Sequence, residues 1–233
     1  MALILCIETS TNICSVALSK DGRVFASKEE HQANSHAALL TVLIEEMMNK
    51  SGCKMDELDA VAVSGGPGSY TGLRIGVSVA KGICYALNKP LLAITSLQVL
   101  AKGMLEALPK NMEQAACMLC PMIDARRMEV YTVFFDGNLQ QKGDVHAAII
   151  DSDSFQEQLD KGKIIFAGNG AAKCSPVISH RNAVFLAEVF PLAAQMATLA
   201  PAAFDASRFE NLAYFEPFYL KDFIATIPRR KVL

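Results

Sequence analysis

The pattern of apolar and polar positions over the first 30 residues predicts three short strands. Residues 3–7 form a continuous apolar run, as expected for a strand that is buried on both faces. A polar turn at residues 8–12 separates it from a second apolar run at residues 13–18, and the Asp21-Gly22 pair predicts a hairpin before a third strand. The chain is therefore predicted to open with an antiparallel meander whose first turn is acidic and rich in hydroxyl groups.

Two long helices are predicted next, with a glycine-rich stretch before the second. Apolar spacing predicts a helix at residues 35–50, with Asn34 or Ser35 as its N-cap. After a buried strand at residues 60–64 the chain reads SGGPGSYTGLRIG over residues 64–76. This density of glycine and proline forbids regular structure, so we expect a tight loop and then a helix at residues 71–88, capped by Ser69 or Thr71.

The opening pattern returns about 116 positions later. A strand at residues 116–123, a charged turn that begins at Asp124, a strand at residues 129–135 and a second Asp-Gly turn repeat the first hairpin. Beyond it we expect helices at residues 151–159 and 192–203, strands at 163–167 and 183–185, and a second glycine loop at Gly168-Asn169-Gly170. The repeat predicts an α/β fold of two similar lobes, residues 1–108 and residues 109–233, with the second lobe incomplete.

Composition narrows the class of protein. Of the 233 residues 52% are hydrophobic, which predicts a well-filled core, and the net charge of −2 provides no global basic field for nucleic acid. The seven cysteines are scattered through apolar runs, which is typical of reduced thiols in a cytoplasmic protein. No run of apolar residues reaches membrane-spanning length, and the first residues do not resemble a signal peptide.

The glycine-rich stretch fits none of the common phosphate or nucleophile motifs. It lacks the Lys-Ser or Lys-Thr of a P-loop, its glycine spacing differs from a dinucleotide fingerprint, and it contains no nucleophile elbow. A ligand-contacting loop and a purely structural turn both remain open. Glu8 and Asp124 occupy matching turns of the two repeats, where carboxylates could hold Mg²⁺ or water beside a phosphate, although acidic turns are common. No metal-binding constellation is visible, because the histidines are scattered and Cys117-Met118-Leu119-Cys120 lies in an apolar run without a second pair.

The two long helices carry more apolar surface than one sheet needs. Apolar positions of the first helix cover about half of its circumference, whereas a sheet needs a stripe of little more than about 100°. The excess predicts either a partner helix or a deeply buried position. In the second helix the polar positions, among them Arg74 and Lys81, form a narrow stripe, and Gly72 and Gly76 on the other side permit close packing.

Three segments together resemble the bacterial TsaB (YeaZ) family. These are residues 5–11, residues 63–76 and residues 217–222, so the resemblance spans the chain from end to end. It implies an actin/Hsp70-like ATPase fold made of two ribonuclease-H-like lobes, with mixed sheets flanked by helices and a reduced second lobe. It also implies a non-catalytic subunit in the synthesis of threonylcarbamoyladenosine in tRNA, which binds a catalytic TsaD-like paralogue and is joined by a TsaE-like ATPase.

The resemblance also implies roles for particular residues. The catalytic paralogue carries a His-x-x-x-His metal motif where this chain has residues 95–100, which contain neither histidine nor carboxylate. The chain is therefore expected to require no cofactor, with ATP and metal held by partner subunits, and to meet tRNA only through the complex. The helices that would contact the paralogue, or a second copy of the chain, present His36, Leu39, Leu40, Leu43, Ile44, Met47, Gly72, Gly76, Val79, Ala80 and Ile83. Vestigial nucleotide or anion contacts would come from Glu8, Thr9, Ser10, Gly66, Gly68, Ser69, Arg74 and Asp124.

Two enzymatic alternatives stay open on the sequence. A phosphotransferase on the same fold would use Glu8 and the two glycine loops, and would bind ATP with Mg²⁺. A glycoprotease-like metallopeptidase would hold zinc.

Overall fold

Two five-stranded mixed sheets form the framework of the computed structural model, which describes residues 2–31, 36–110, 112 and 117–221. The first sheet has the order β3-β2-β1-β4-β5. The pairs β3–β2 and β2–β1 are antiparallel, and the pairs β1–β4 and β4–β5 are parallel. Its strands are β1 (Leu3–Glu8), β2 (Cys14–Lys20), β3 (Arg23–Glu30), β4 (Ala60–Ser64) and β5 (Leu91–Ile94). The predicted opening meander is confirmed.

The second sheet repeats this order with later strands, β8-β7-β6-β9-β10. The strands are β6 (Met118–Asp124), β7 (Glu129–Phe135), β8 (Gln141–Ile149), β9 (Ile164–Ala167) and β10 (Ala183–Phe185). The pairing directions also match those of the first sheet, so the predicted α/β fold of two mixed sheets is confirmed. The second lobe is reduced only in its helices, because its sheet is complete.

Six helices in the described part of the chain flank the sheets. They are α1 (His36–Ser51), α2 (Tyr70–Leu87), α3 (Ser96–Glu106), α4 (Gln156–Lys161), α5 (Ala171–Cys174) and α6 (Ala193–Asp205), and a short 3₁₀ turn lies at Met55–Glu57. Ser69 caps α2 as predicted, since its side chain accepts the N–H of Gly72 at 3.2 Å. The predicted cap of α1 at Asn34 or Ser35 lies outside the described residues. In the described part of the chain no helix is long and apolar enough to cross a membrane.

Helices cover both faces of the first sheet. Helices α1 and α2 pack on one face, against Leu5, Ile7 and Val16 among others. Helix α6 packs on the opposite face, where Met196 and Ala200 meet Ile4 and Cys6. Double coverage explains why β1 is apolar at almost every position rather than alternating.

Helices α3 and α6 also join the two lobes. Val99 of α3 belongs to the core of the first sheet, whereas Leu97 and Leu100 pack in the core of the second. Helix α6 follows the second sheet along the chain but packs on the first. A linear division of the lobes at residue 108 therefore does not account for α6.

Two serines of β2 satisfy backbone groups of α6. The hydroxyl of Ser15 accepts the N–H of Ala193 at 2.9 Å, in the first turn, where α6 has no cap of its own. The hydroxyl of Ser19 donates to the carbonyl of Ala197 at 2.5 Å. Since Pro201 has no N–H, it cannot donate to that carbonyl four residues back. Ser19 therefore replaces the missing helical hydrogen bond, and a proline is tolerated within α6.

Candidate functional site

The loop between β4 and α2 is fixed by the chain's own backbone groups. The N–H of Gly65 donates to the carbonyl of Ile94 at 2.8 Å, and the carbonyl of Gly66 accepts the N–H of Ser96 at 3.0 Å. The N–H of Ser69 donates to the carbonyl of Ser10 at 2.7 Å. With the capped N–H of Gly72, the N–H groups of Gly65 and Ser69 are therefore not available to an anion at this loop.

The glycines at the start of α2 pack against the turn between β1 and β2. A Cβ added to Gly72 or Gly76 would overlap Thr9, and one added to Gly68 would overlap Ser10. Both Gly72 and Gly76 are buried. The prediction that these two glycines meet a partner is therefore wrong, because their close packing is internal.

The Glu8 turn is closed to solvent. Glu8 and Thr9 are fully buried, and Ser10 is 1% exposed. The backbone N–H of Ser10 donates to Oε1 of Glu8 at 2.7 Å, while Oε2 has no partner within the described residues. Burial raises the pKa of Glu8 to about 7, against hydrogen bonds that favour the ionised form.

This burial corrects the predicted anion contacts. A phosphate cannot reach Glu8, Thr9 or Ser10 while α2 covers the turn, and Gly66, Gly68 and Ser69 are engaged with neighbouring backbone as described above. Of the first-lobe set, Ser69 and Arg74 are exposed, and the Ser69 side chain already caps α2.

Asp124 lies in the equivalent turn of the second lobe but in a different environment. Its carboxylate forms an ion pair with Lys173 and accepts the N–H of Arg126, and its own N–H donates to the side chain of Asn169 at 3.0 Å. The second glycine loop packs on this turn, since a Cβ on Gly170 would lie 3.1 Å from the nitrogen of Asp124. The two glycine loops are thus structural counterparts, each supporting the turn of its own hairpin.

Most of the predicted partner-facing side chains of α1 are core residues. Leu40 and Met47 are 1% exposed, and the other buried members of the predicted interface are His36, Leu43 and Ile44 on α1 and Ala80 on α2. They pack against β1, β2 and α2, so a partner could reach them only by opening the core. Leu39, Val79 and Ile83 are half-buried and remain accessible.

An open groove of about 460 Å³ lies on the outer surface of the two helices. The described residues that line it are Ala37 of α1 and Tyr70, Thr71, Arg74, Ile75, Ser78 and Val79 of α2. Arg74 is the one charged residue among them. Its Nη1 donates to the hydroxyl of Tyr70 at 2.9 Å, and the guanidinium lies 5.3 Å from the centre of the Tyr70 ring.

Residues 213–221 run along α2 and over the glycine loop. Lys81, a member of the polar stripe of α2, donates to the carbonyls of Ala213 (3.1 Å) and Phe215 (3.2 Å). The N–H of Phe218 donates to the carbonyl of Gly65 at 2.8 Å, and the Tyr219 ring packs on Tyr70 with centroids 4.9 Å apart. Apolar spacing could not predict these contacts with α2, and the signal for them in the sequence is the run of aromatic residues over 214–219.

No three histidine, cysteine or acidic side chains within residues 2–31, 36–110, 112 and 117–221 come together as a metal site.

Comparison with known proteins identifies the family. A family model described as "TsaD: tRNA N6-adenosine threonylcarbamoyltransferase" matches residues 23–229. The chain belongs to this TsaD family. Within the family its likeness is to TsaB: the tRNA threonylcarbamoyladenosine biosynthesis protein TsaB of Escherichia coli is 29% identical, over 95% of this chain and 96% of that protein.

Solved structures place the chain beside the same TsaB-type members of the TsaD family. YeaZ from Pseudomonas aeruginosa superimposes with a TM-score of 0.81 at 29% identity, over 94% of this chain and all of that one. A structure described as an uncharacterized protein with similarity to peptidase YEAZ, from the same organism, gives 0.82 at 28% identity over 95% of this chain and all of that chain. The resemblance to TsaB (YeaZ) and the actin/Hsp70-like fold that it implies are confirmed.

Proposed function

We propose that the chain is a non-catalytic subunit in the synthesis of threonylcarbamoyladenosine in tRNA, in the cytoplasm. It binds a TsaD-like catalytic paralogue through the outer surface of α1 and α2. The observation that carries this proposal is the end-to-end likeness to a protein named for that pathway, which covers 96% of the E. coli protein. A TsaE-like ATPase joins the complex, and tRNA is met through the complex.

The closed glycine loop supports a role without nucleotide turnover. Glu8 and the amides of Gly65, Ser69 and Gly72 are engaged within the chain, and α2 covers the Glu8 turn that a phosphate would approach. Helix α3, which follows β5, begins with Ser96 and Leu97 and carries no histidine. ATP and metal are therefore assigned to the partner subunits, and this chain requires neither.

The surface proposed to meet the paralogue differs from the predicted one, because most of the predicted side chains are buried. It consists of the groove residues together with the half-buried Leu39 and Ile83, rather than the core residues that the family resemblance implied. The half-buried apolar side chains of Ile75 and Val79, beside the exposed hydroxyl groups of Thr71 and Ser78, suit a packed helix–helix contact. A homodimer through the same helices would compete with the paralogue for this surface.

In vitro modification of tRNA tests the proposal. We expect product when the chain and the paralogue are combined with the ATPase, and none when the chain is omitted or used alone. Ser78→Trp, which fills the groove from an exposed position, should reduce both product and paralogue binding. Ser175→Trp, at an exposed position of the second lobe, is the matched control and should change neither. Product from this chain alone, or an undiminished yield without it, would refute the non-catalytic role.

A further inference from the structure

Arg74 is placed in the groove in a way that specifies what should bind there. It sits midway along the α2 wall, with Tyr70 four residues before it and Ser78 four residues after it on the same face. The wall from residue 70 to residue 79 is about 14 Å long at 1.5 Å per residue, or about two and a half turns of a helix laid against it.

The guanidinium of Arg74 is held before any partner arrives. Tyr70 fixes it by a hydrogen bond and by its ring, and the Tyr70 ring is itself packed against Tyr219. Lys221, two residues beyond Tyr219, forms an ion pair with Glu129 of β7, which anchors this segment to the second lobe. An arginine that is ordered in the free protein loses less entropy when it forms a contact.

Among the described residues no carboxylate forms an ion pair with Arg74. The single bond to Tyr70 leaves further N–H groups of its fork pointing to solvent. A partner that covers the groove removes that solvent, and an unpaired buried cation is costly. The groove therefore selects a partner that carries its own acceptor at this point, and a carboxylate matches the fork with two parallel hydrogen bonds.

We propose that the groove receives an amphipathic helix whose apolar face lies on Ile75 and Val79 and whose Asp or Glu side chain pairs with Arg74. This inference rests on the proposed function, since the occupant is a helix of the TsaD-like paralogue. Charge complementarity supports this occupant. Among the described residues that line the groove there is one ordered cation beside apolar and hydroxyl-bearing side chains, a lining that suits an apolar helix face with one acidic residue. Arg74 then determines which partner helix binds and in which register.

Calorimetric titration of the full chain with the purified paralogue tests this pairing. Arg74→Gln should weaken binding about 30-fold or more and reduce its dependence on salt, because a desolvated charge pair is lost. Arg74→Lys should recover only part of the affinity, since an ammonium group lacks the planar fork. The matched control, Arg181→Gln at an exposed position of the second lobe, should leave affinity unchanged.

Substitution of each exposed Asp and Glu on the contacting helix of the paralogue, combined with Arg74→Gln in double-mutant cycles, should identify one carboxylate that couples to Arg74. If Ser78→Trp abolishes binding while Arg74→Gln binds as tightly as the unaltered chain, the pairing is wrong and the docking surface stands. If the unaltered chain does not bind the paralogue at all, the proposed function itself is overturned.

Discussion

At the scale of single residues, two glycines of α2 differ in whether a larger side chain would fit at their positions. Gly76 lies against the side chain of Thr9, whereas a Cβ on Gly82 would meet nothing within 4 Å. The sequence places Gly76 on the side of α2 that permits close packing but cannot show what it packs against, because the contact with Thr9 is long-range. Only the fold shows that Gly76 packs α2 onto the first hairpin.

Gly76→Ala should lower the free energy of unfolding by about 1–3 kcal/mol, because the new methyl group forces α2 away from the Thr9 turn. Gly82→Ala should raise it by about 0.5–1 kcal/mol, since alanine is the better helix former and the site is open. Urea denaturation of both variants measures the difference. Equal effects would show that the contact with Thr9 is not tight.

Glu8 makes the stability of the fold dependent on pH. Its pKa is raised from 4.5 to about 7 in the folded chain, so between these values the folded state binds more protons than the unfolded state. The stability contributed by the neutral carboxyl group is therefore complete below about pH 4.5 and is lost as pH rises through about 7.

Glu8→Gln should remove this dependence, because an amide keeps the size of the side chain but does not titrate. Relative to the variant, the unaltered chain should lose roughly 3 kcal/mol of stability between pH 4.5 and 7.5. Denaturation midpoints across this range measure the loss, and Glu45→Gln, at an exposed position of α1, is the control. Parallel pH profiles for Glu8→Gln and the unaltered chain would contradict the raised pKa.

At the scale of elements, α6 could be predicted as a helix, but its contacts with the first sheet could not. Its apolar pattern predicted a helix in spite of Pro201, whereas the serine that replaces the missing hydrogen bond lies 178 residues earlier.

Strand β8 went unpredicted for a related reason. Its first four residues, 141–144, are exposed and polar or glycine, so the strand begins without an apolar run and forms because β7 offers an edge to pair with.

A double-mutant cycle tests the link between Ser19 and Pro201. Ser19→Ala alone should cost about 1–3 kcal/mol, because it leaves the Ala197 carbonyl buried without a donor. In a Pro201→Ala background the restored N–H can donate to that carbonyl, so the cost of Ser19→Ala should fall by about 1 kcal/mol or more. Ser15→Ala serves as the control, since its partner is the N–H of Ala193, and Pro201→Ala should not change its cost.

At the scale of the whole molecule, the duplicated hairpin was enough to predict two similar lobes, since the strand, turn and strand pattern is local. The candidate surface was predicted less well. Apolar spacing located α1 and α2 but could not distinguish side chains that face a partner from those that face the chain's own sheet. That distinction depends on where β2 and α6 lie, which no local pattern encodes.

The packing of α6 on the first sheet also affects how the chain folds during its synthesis. A chain emerging from the ribosome completes the strands of the first sheet by residue 94, yet the helix that covers their second face is not made until residues 193–205. Through the synthesis of the intervening hundred or so residues, one apolar face of the nascent sheet stays open to solvent and to chaperones. Of the two lobes, the one that is translated first is thus the one that cannot finish folding until α6 has been made.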